Sequence, residues 1–243
     1  MFKKLNILIV STSFSLVFTG PVAAEKAEED FFTWTGITIS GDLPTTNPNL
    51  KNFKYTLTAQ GRFGDDSSRF SQALIRPGIG YAINKKTTIW LGYDWLPTSR
   101  PYALKSPFNE HRIWQQLLLE DKYSFGTAIS RTRFEQRFFD IPGSTDISHR
   151  YRQMFKLSIP VPFASPNVSF VVWDEVFVNL QNALDAGVRS GFDQNWGFVG
   201  IGYRFNKHTV VETGYQNQYI NRPHSPRKNQ MNHILSINLF LNF

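Results

Sequence analysis

Two neighbouring stretches of the sequence carry charged residues at every second position, a spacing that suits ionic chemistry on one surface. They read Arg131-x-Arg133-x-Glu135-x-Arg137 and Arg150-x-Arg152. Successive side chains of a β-strand point to opposite faces, so a spacing of two places all of these groups on one face. Antiparallel pairing would bring the two rows about 5 Å apart. The pattern predicts either a ladder of guanidinium–carboxylate pairs or a surface that attracts anions.

Further charged residues share a phase opposite to the apolar residues of their own strands. They are Lys54, Arg62, Arg76, Asp94, Arg112, Lys156, Glu175, Arg204 and Glu212. An Arg or Lys that faces lipid near the middle of a bilayer costs about 2–4 kcal/mol. We therefore expect the charged phase to face the lumen of a barrel and the apolar phase to face lipid. In this assignment, eleven bases face the lumen against four acids.

The elements that would position these residues are short strands separated by turn residues. Eleven candidates follow the period of two: 31–41, 52–63, 69–83, 87–97, 110–120, 123–138, 148–159, 167–180, 191–205, 208–220 and 231–243. Short and long connections largely alternate, as periplasmic turns and extracellular loops do in outer-membrane barrels. Such barrels have an even number of strands in bacteria. We therefore expect an all-β, antiparallel transmembrane up-and-down β-barrel of ten to twelve strands, with twelve favoured by chain length.

The last strand is the strongest single signal for a membrane barrel. Its outward residues form an apolar stripe that ends on an aromatic carboxy-terminus: Leu235, Ile237, Leu239, Leu241 and Phe243. The stretch matches the roughly 9–11 residues that a tilted strand needs to cross a bilayer. One strand, 167–180, breaks the pattern because its apolar phase places Asp174 outside. A β-bulge near residues 173–175 would turn Asp174 inward.

The amino end has the pattern of a secretory signal. Lys3 and Lys4 precede an apolar run at 5–18, and Val22-Ala23-Ala24 offers small residues for cleavage. We expect a signal peptide at 1–24, cleavage after Ala24, and one barrel domain at 25–243. The chain has no Cys, 15% aromatic residues and a mean hydropathy of −0.29. These values suit a Gram-negative outer-membrane barrel with aromatic girdles, in which only alternate residues face lipid.

Two functions could use a basic lumen. One is structural, with Arg–Glu pairs filling and bracing a narrow barrel. The other is a porin-like channel that prefers anions, because rings of Arg and Lys favour them. A buried Arg without a counter-charge is unfavourable. The excess of basic over acidic residues therefore favours water or anions in the lumen, and the channel remains the alternative function.

A hydrolase at the barrel rim is the third possibility, acting on lipid or peptide. His233 lies in the outward phase near one end of its strand, with Asn217 in the same phase on the neighbouring strand, but no matching Ser is evident. Ser148 and His149 are adjacent and so point to opposite faces. We predict no enzymatic activity and assign no catalytic residue, metal or cofactor.

Several motifs, in order, resemble a bacterial outer-membrane β-barrel family catalogued as domain of unknown function 2490. They are R-T-R-F-E-Q-R-F at 131–138, R-Y-R at 150–152, D-E-V-F-V-N at 174–179, F-D-Q-N-W-G at 192–197, E-T-G-Y-Q-N-Q at 212–218 and N-H-I-L at 232–235. The chain departs from a common pattern at Trp196, where Arg is usual. The resemblance implies a barrel and no established activity. Expected partners are outer-membrane lipids, the barrel-assembly machinery through the last strand, and small anions, but no nucleic acid.

Overall fold

Eleven strands close into one barrel in the computed structural model, which describes residues 27–103, 106–163, 165–222 and 228–243. The signal peptide and cleavage site expected at residues 1–24 lie outside the described residues. The strands are β1 (Glu28–Asp42), β2 (Phe53–Gly64), β3 (Arg69–Asn84), β4 (Thr87–Thr98), β5 (Phe108–Tyr123), β6 (Gly126–Asp140), β7 (Ser148–Pro160), β8 (Val168–Asn179), β9 (Gly191–Arg204), β10 (Thr209–Ile220) and β11 (Gln230–Asn242). Short 3₁₀ turns at Pro48–Leu50 and Leu184–Ala186 are the helical elements of the described residues.

The barrel closes through a parallel pair, which corrects the predicted strand number. β1 pairs with β11 in parallel, from Glu28 opposite Gln230 to Ser40 opposite Asn242, and all other neighbours are antiparallel. Strand directions can alternate all the way round a ring only when the number is even, so eleven strands require one parallel pair. The prediction of a closed all-β barrel is confirmed. The expectations of twelve strands and of a wholly antiparallel sheet are wrong.

The two ends of the barrel differ in their connections. The loop end carries the connections at 65–68, 99–107, 141–147, 180–190 and 221–229, and β1 starts there. The turn end carries those at 43–52, 85–86, 124–125, 161–167 and 205–208, together with the end of β11. Because β1 and β11 run in the same direction, Glu28 and Phe243 lie at opposite ends.

The outer surface is mostly apolar and exposed. Leu235 and Ile237 are 42% and 39% exposed, Leu239 and Leu241 are half-buried on the same face, and Phe243 follows the strand with its ring against His208. Ile201 on β9 is 55% exposed. Large apolar side chains on the outside of a closed sheet leave the interior to the polar phase.

Asp174 is an exception on that outer surface, and the predicted bulge does not exist. The pairing of β8 with β7 and β9 is regular through residues 173–175, so Asp174 stays outside, where the side-chain amide of Asn195 donates to its carboxylate at 3.0 and 3.1 Å. The register shift lies farther along, between Phe177 and Val178, and makes Asp193 the extra residue on β9.

Aromatic rings fill much of the interior. Phe32, Trp34 and Ile234 form a buried cluster, and Tyr102 of the 99–107 connection reaches in to contact Phe32 at 5.1 Å between ring centroids. The Tyr102 hydroxyl donates to Gln218 on β10 at 3.0 Å, so this connection crosses the barrel mouth. Elsewhere, large rings lie over glycines. A Cβ added to Gly92 would lie 2.1 Å from the ring of Trp114.

Candidate functional site inside the barrel

Glu135 is the centre of an ionic network that occupies the barrel interior. Its carboxylate accepts hydrogen bonds from Arg150 (Nε at 2.9 Å and Nη2 at 2.6 Å) and from Arg152 (Nη1 at 2.6 Å). Glu135 is fully buried, and Arg150 lies directly opposite it across the β6–β7 pair. The alternation of β6 and β7 therefore delivers base and acid to one point, as their spacing suggests.

A second carboxylate extends the network towards β8. Arg152 also holds Glu175 through two nearly parallel bonds, at 2.9 Å from Nε and 3.0 Å from Nη2. Arg131 contacts the same carboxylate at 2.9 Å. Bidentate guanidinium–carboxylate pairs are among the strongest hydrogen-bonded contacts and fix both partners in orientation. Arg152 thus joins two carboxylates from two strands.

The network continues on the neighbouring strands β3 to β5, around Asp94 and Glu110. Arg76 holds Asp94 through two bonds of 2.7 Å, and Arg112 holds Glu110 through bonds of 2.7 and 2.9 Å. Arg137 donates to Glu110 from β6 at 2.5 Å. These bonds join β3 to β4 and β5 to β6 through side chains, and Nη1 of Arg112 lies 3.9 Å from Asp94 across the β4–β5 pair.

Two acids of the network were missed from the sequence. Glu110 stands two residues before Arg112 and therefore shares its phase. It was not assigned to the lumen because it is the first residue of the predicted strand. Asp193, which binds Arg150 at 3.0 Å, faces inward only because of the register shift in β9. Alternation alone places Asp193 outside, so no local signal identifies it.

Within the part of the chain that the structure describes, two buried arginines have no carboxylate within hydrogen-bond distance. Arg62 donates to Gln60 and Gln72 at 2.8 and 2.6 Å, with its guanidinium 3.9 Å from the ring centroid of Trp34. Arg133 donates to Gln116 at 2.6 and 3.0 Å and lies 4.4 Å from the ring of Trp114. Amide acceptors and aromatic faces solvate both cations. The nearest counter-charge to Arg133 is Glu135, 3.9 Å from its Nη1.

The remaining predicted residues lie apart from this network. Lys156 on β7 reaches Glu212 on β10 at 2.6 and 2.7 Å, a separate pair nearer the turn end. Lys54 pairs with Asp42 at the turn end, and Arg204 is exposed at the end of β9.

The network carries more positive than negative charge. Its eight guanidinium groups belong to Arg62, Arg76, Arg112, Arg131, Arg133, Arg137, Arg150 and Arg152, and its five carboxylates to Asp94, Glu110, Glu135, Glu175 and Asp193. Most of these residues are buried, and solvent does not reach Glu135 or Asp94. Burying a charge is unfavourable unless hydrogen bonds and nearby opposite charges compensate for the lost water. The arrangement can hold strands in register and attract anions.

Histidines on the outer surface pair with tyrosines. The Tyr215 hydroxyl lies 2.6 Å from Nδ1 of His233, whose Nε2 lies 3.9 Å from Glu29, and Tyr93 contacts His111 in the same way. His149 stacks on Phe134. Among the described residues no three His, Asp or Glu side chains are grouped to hold a metal ion. In that same part of the chain, no helix has both the length and the apolar character to cross a membrane.

Comparison with known proteins identifies relatives without an established activity. Residues 31–230 match the family described as "Protein of unknown function (DUF2490)". The chain is 29% identical over 237 residues to an uncharacterized protein of Methylorubrum extorquens, and the alignment covers 97% of each chain. No solved structure matches. The family resemblance expected from the sequence motifs is confirmed.

Proposed function

Since the chain belongs to the DUF2490 family, which has no assigned activity, we propose a function from its barrel alone. The protein is an outer-membrane β-barrel whose interior is a solid brace of arginines and carboxylates. This ionic network stabilises the closed barrel. The protein is a non-conducting scaffold in the membrane and performs no catalysis. The observation that carries this proposal is the burial of Glu135, Arg150 and Arg152 at the level where an open pore would be wet.

The outer surface supports the membrane location. Exposed apolar side chains cover successive strands, as with Leu91 on β4, Ile201 on β9 and Ile237 on β11. An extended apolar surface of this kind is unfavourable in water and favourable against lipid tails. Closure of the sheet leaves no unpaired strand edge, which a bilayer requires because its core offers no hydrogen-bond partners. We further propose that the loop end faces outward and that β11 engages the assembly machinery.

The geometry of the interior favours a scaffold over a channel. Arg152 bridges Glu135 to Glu175, and the Trp34 and Trp196 rings are in contact at 5.1 Å between centroids. Tyr102 covers the mouth above them. The excess of guanidinium groups is the observation that favours the alternative, a small anion-preferring pore, because a hydrated lumen would relieve that excess with mobile anions.

Bilayer recording separates these two functions. The refolded protein is added to a planar bilayer in 1 M KCl, with a general porin as the positive control. The scaffold gives no sustained conductance, even though the protein inserts and shows heat-modifiable mobility on gels. A double variant, Arg152→Ala with Glu175→Ala, removes one bridge and is expected to produce conducting events. A steady anion-selective conductance of the wild type would overturn the scaffold and establish the pore.

Two further measurements test the location and the lack of catalysis. Fractionation should place the mature protein with outer-membrane markers, and its recovery in the soluble periplasm would contradict the proposal. The purified protein should not hydrolyse phospholipid, lipid A or peptide. Hydrolysis abolished by His233→Ala or His149→Ala would establish the rim hydrolase instead.

A further inference from the structure

A cavity of about 760 Å³ opens at the loop end of the barrel, above the ionic network. We call it the vestibule. Its walls are the 180–190 connection, residues 102, 106–107, 141–142 and 221–222, and the ends of β5, β6, β8, β9 and β10. This volume falls within the range of small-molecule sites, which are about 300–1,000 Å³. The bracing function of the ionic network does not account for a cavity of this size.

The walls of the vestibule offer apolar contact. Phe108 and Phe139 form an aromatic pair, with ring centroids 6.5 Å apart, and Ile220 and Leu184 line other parts of the cavity. Such surfaces suit an aromatic ring or a short acyl chain, which would gain free energy by leaving water.

The carboxylates that line the vestibule already have hydrogen-bond partners. Its three carboxylates are already paired: Glu110 with two arginines, Asp193 with Arg150, and Asp185 with the backbone N–H groups of residues 145 and 146 at 2.6 and 3.0 Å. Desolvation acts to raise the pKa of Asp185, but these hydrogen bonds outweigh it and lower the pKa. The carboxylates therefore offer little to a cationic ligand.

Three arginines line the vestibule, Arg137, Arg189 and Arg222, and Arg137 is the most buried of them. Its side chain is only 10% exposed, and it uses Nε to bind Glu110. Neither Nη atom has a hydrogen-bond partner among the described residues, although Arg137 lines the vestibule. The carboxamide oxygen of Asn179, a further lining residue that is 4% exposed, also lacks a partner within that part of the chain. A buried guanidinium edge beside aromatic rings matches a carboxylate attached to an apolar body.

We propose that the vestibule binds a small amphipathic anion. Its carboxylate pairs with the Nη atoms of Arg137, and its aromatic or short acyl body contacts Phe108 and Phe139. Asn179 selects for a ligand that also carries a hydrogen-bond donor. This binding role goes beyond the bracing function and holds whether or not the barrel conducts.

Fluorine NMR in lipid nanodiscs tests the proposal with three matched probes. They are 4-(trifluoromethyl)benzoate, the neutral 4-(trifluoromethyl)benzamide and the cationic 4-(trifluoromethyl)benzylamine, each measured against empty nanodiscs. The benzoate should bind at least about tenfold more tightly than the amide, because only a carboxylate forms a bidentate ion pair with the guanidinium. Sodium octanoate should displace it.

Two variants and one control variant identify the site. Arg137→Gln should lose benzoate binding, whereas Arg131→Gln, which removes the same charge from the network outside the vestibule, should retain it. Leu184→Glu changes an exposed wall residue with little effect on folding and should also weaken binding by repulsion. Absence of benzoate binding to the wild type, equal binding of benzylamine, or undiminished binding by folded Leu184→Glu would overturn the proposal. None of these outcomes depends on conductance.

Discussion

Replacing Glu135 by Gln is the sharpest perturbation of the ionic network. The side chain keeps its size, but one negative charge disappears from a position that solvent does not reach. Arg150 and Arg152 then lose a shared carboxylate that accepts three bonds of 2.6–2.9 Å. The new amide nitrogen is a donor that faces guanidinium donors, so it cannot replace the lost bonds.

The size of the effect follows from the partners that remain. Breaking a buried pair by removing one partner costs about 3–5 kcal/mol. Arg152 keeps Glu175 and Arg150 keeps Asp193, which places the expected loss near the lower limit, about 3 kcal/mol. That loss corresponds to roughly a hundredfold change in the unfolding equilibrium constant.

Urea titration of protein refolded into lipid vesicles measures this free energy. Tryptophan fluorescence reports the transition, and coincident folding and unfolding curves establish equilibrium. The control is Glu29→Gln at the exposed start of β1, where an ion pair contributes about 0–1 kcal/mol. A loss below about 1 kcal/mol for Glu135→Gln would mean that water solvates the carboxylate, and the brace would be refuted.

Two further predictions concern packing and topology. Gly92→Ala should destabilise the barrel by about 1–3 kcal/mol in the same titration, because the added Cβ would overlap the ring of Trp114, whereas Gly197→Ala, with its nearest atom at 3.7 Å, should have little effect. An unchanged free energy of unfolding for Gly92→Ala would mean that Trp114 is not tightly packed against residue 92. In intact cells, an impermeant maleimide should label Glu29→Cys but not Lys207→Cys, because β1 starts at the loop end. Labelling of both variants only after permeabilisation would contradict the parallel closure.

The strands and much of the network could be predicted because alternation is a local property. Arg150 and Arg152 share a phase in the sequence and meet Glu135 in the structure through one strand pairing. The eleven predicted strands correspond one to one with those observed. An even number of strands was nevertheless expected, because bacterial barrels follow an even-number rule and this rule was given more weight than the eleven candidate segments. Parallel pairing of β1 with β11 depends on how the ends of the chain meet, and no local pattern encodes it.

Features that depend on long-range geometry were beyond sequence reasoning. Tyr102 lies in a connection without periodicity, and its contact with Gln218 arises only when the barrel mouth is formed. Asp193 turns inward through a one-residue register shift. Asp174 stays outside because the pairing of β8 is regular there, and Asn195 binds its carboxylate. The vestibule is likewise assembled from separate connections, which no strand pattern brings together.

The accessibility of Ser236 from water tests the central claim, that the barrel interior is filled. Ser236 lies midway along β11, faces inward and is 1% exposed. Because the chain has no Cys, Ser236→Cys introduces a unique thiol with almost no change in volume. In vesicles, a charged methanethiosulfonate reagent present on both sides should leave this thiol unreacted under conditions that modify Lys207→Cys completely. Reaction of the two thiols at comparable rates would show a water-filled lumen and contradict the account.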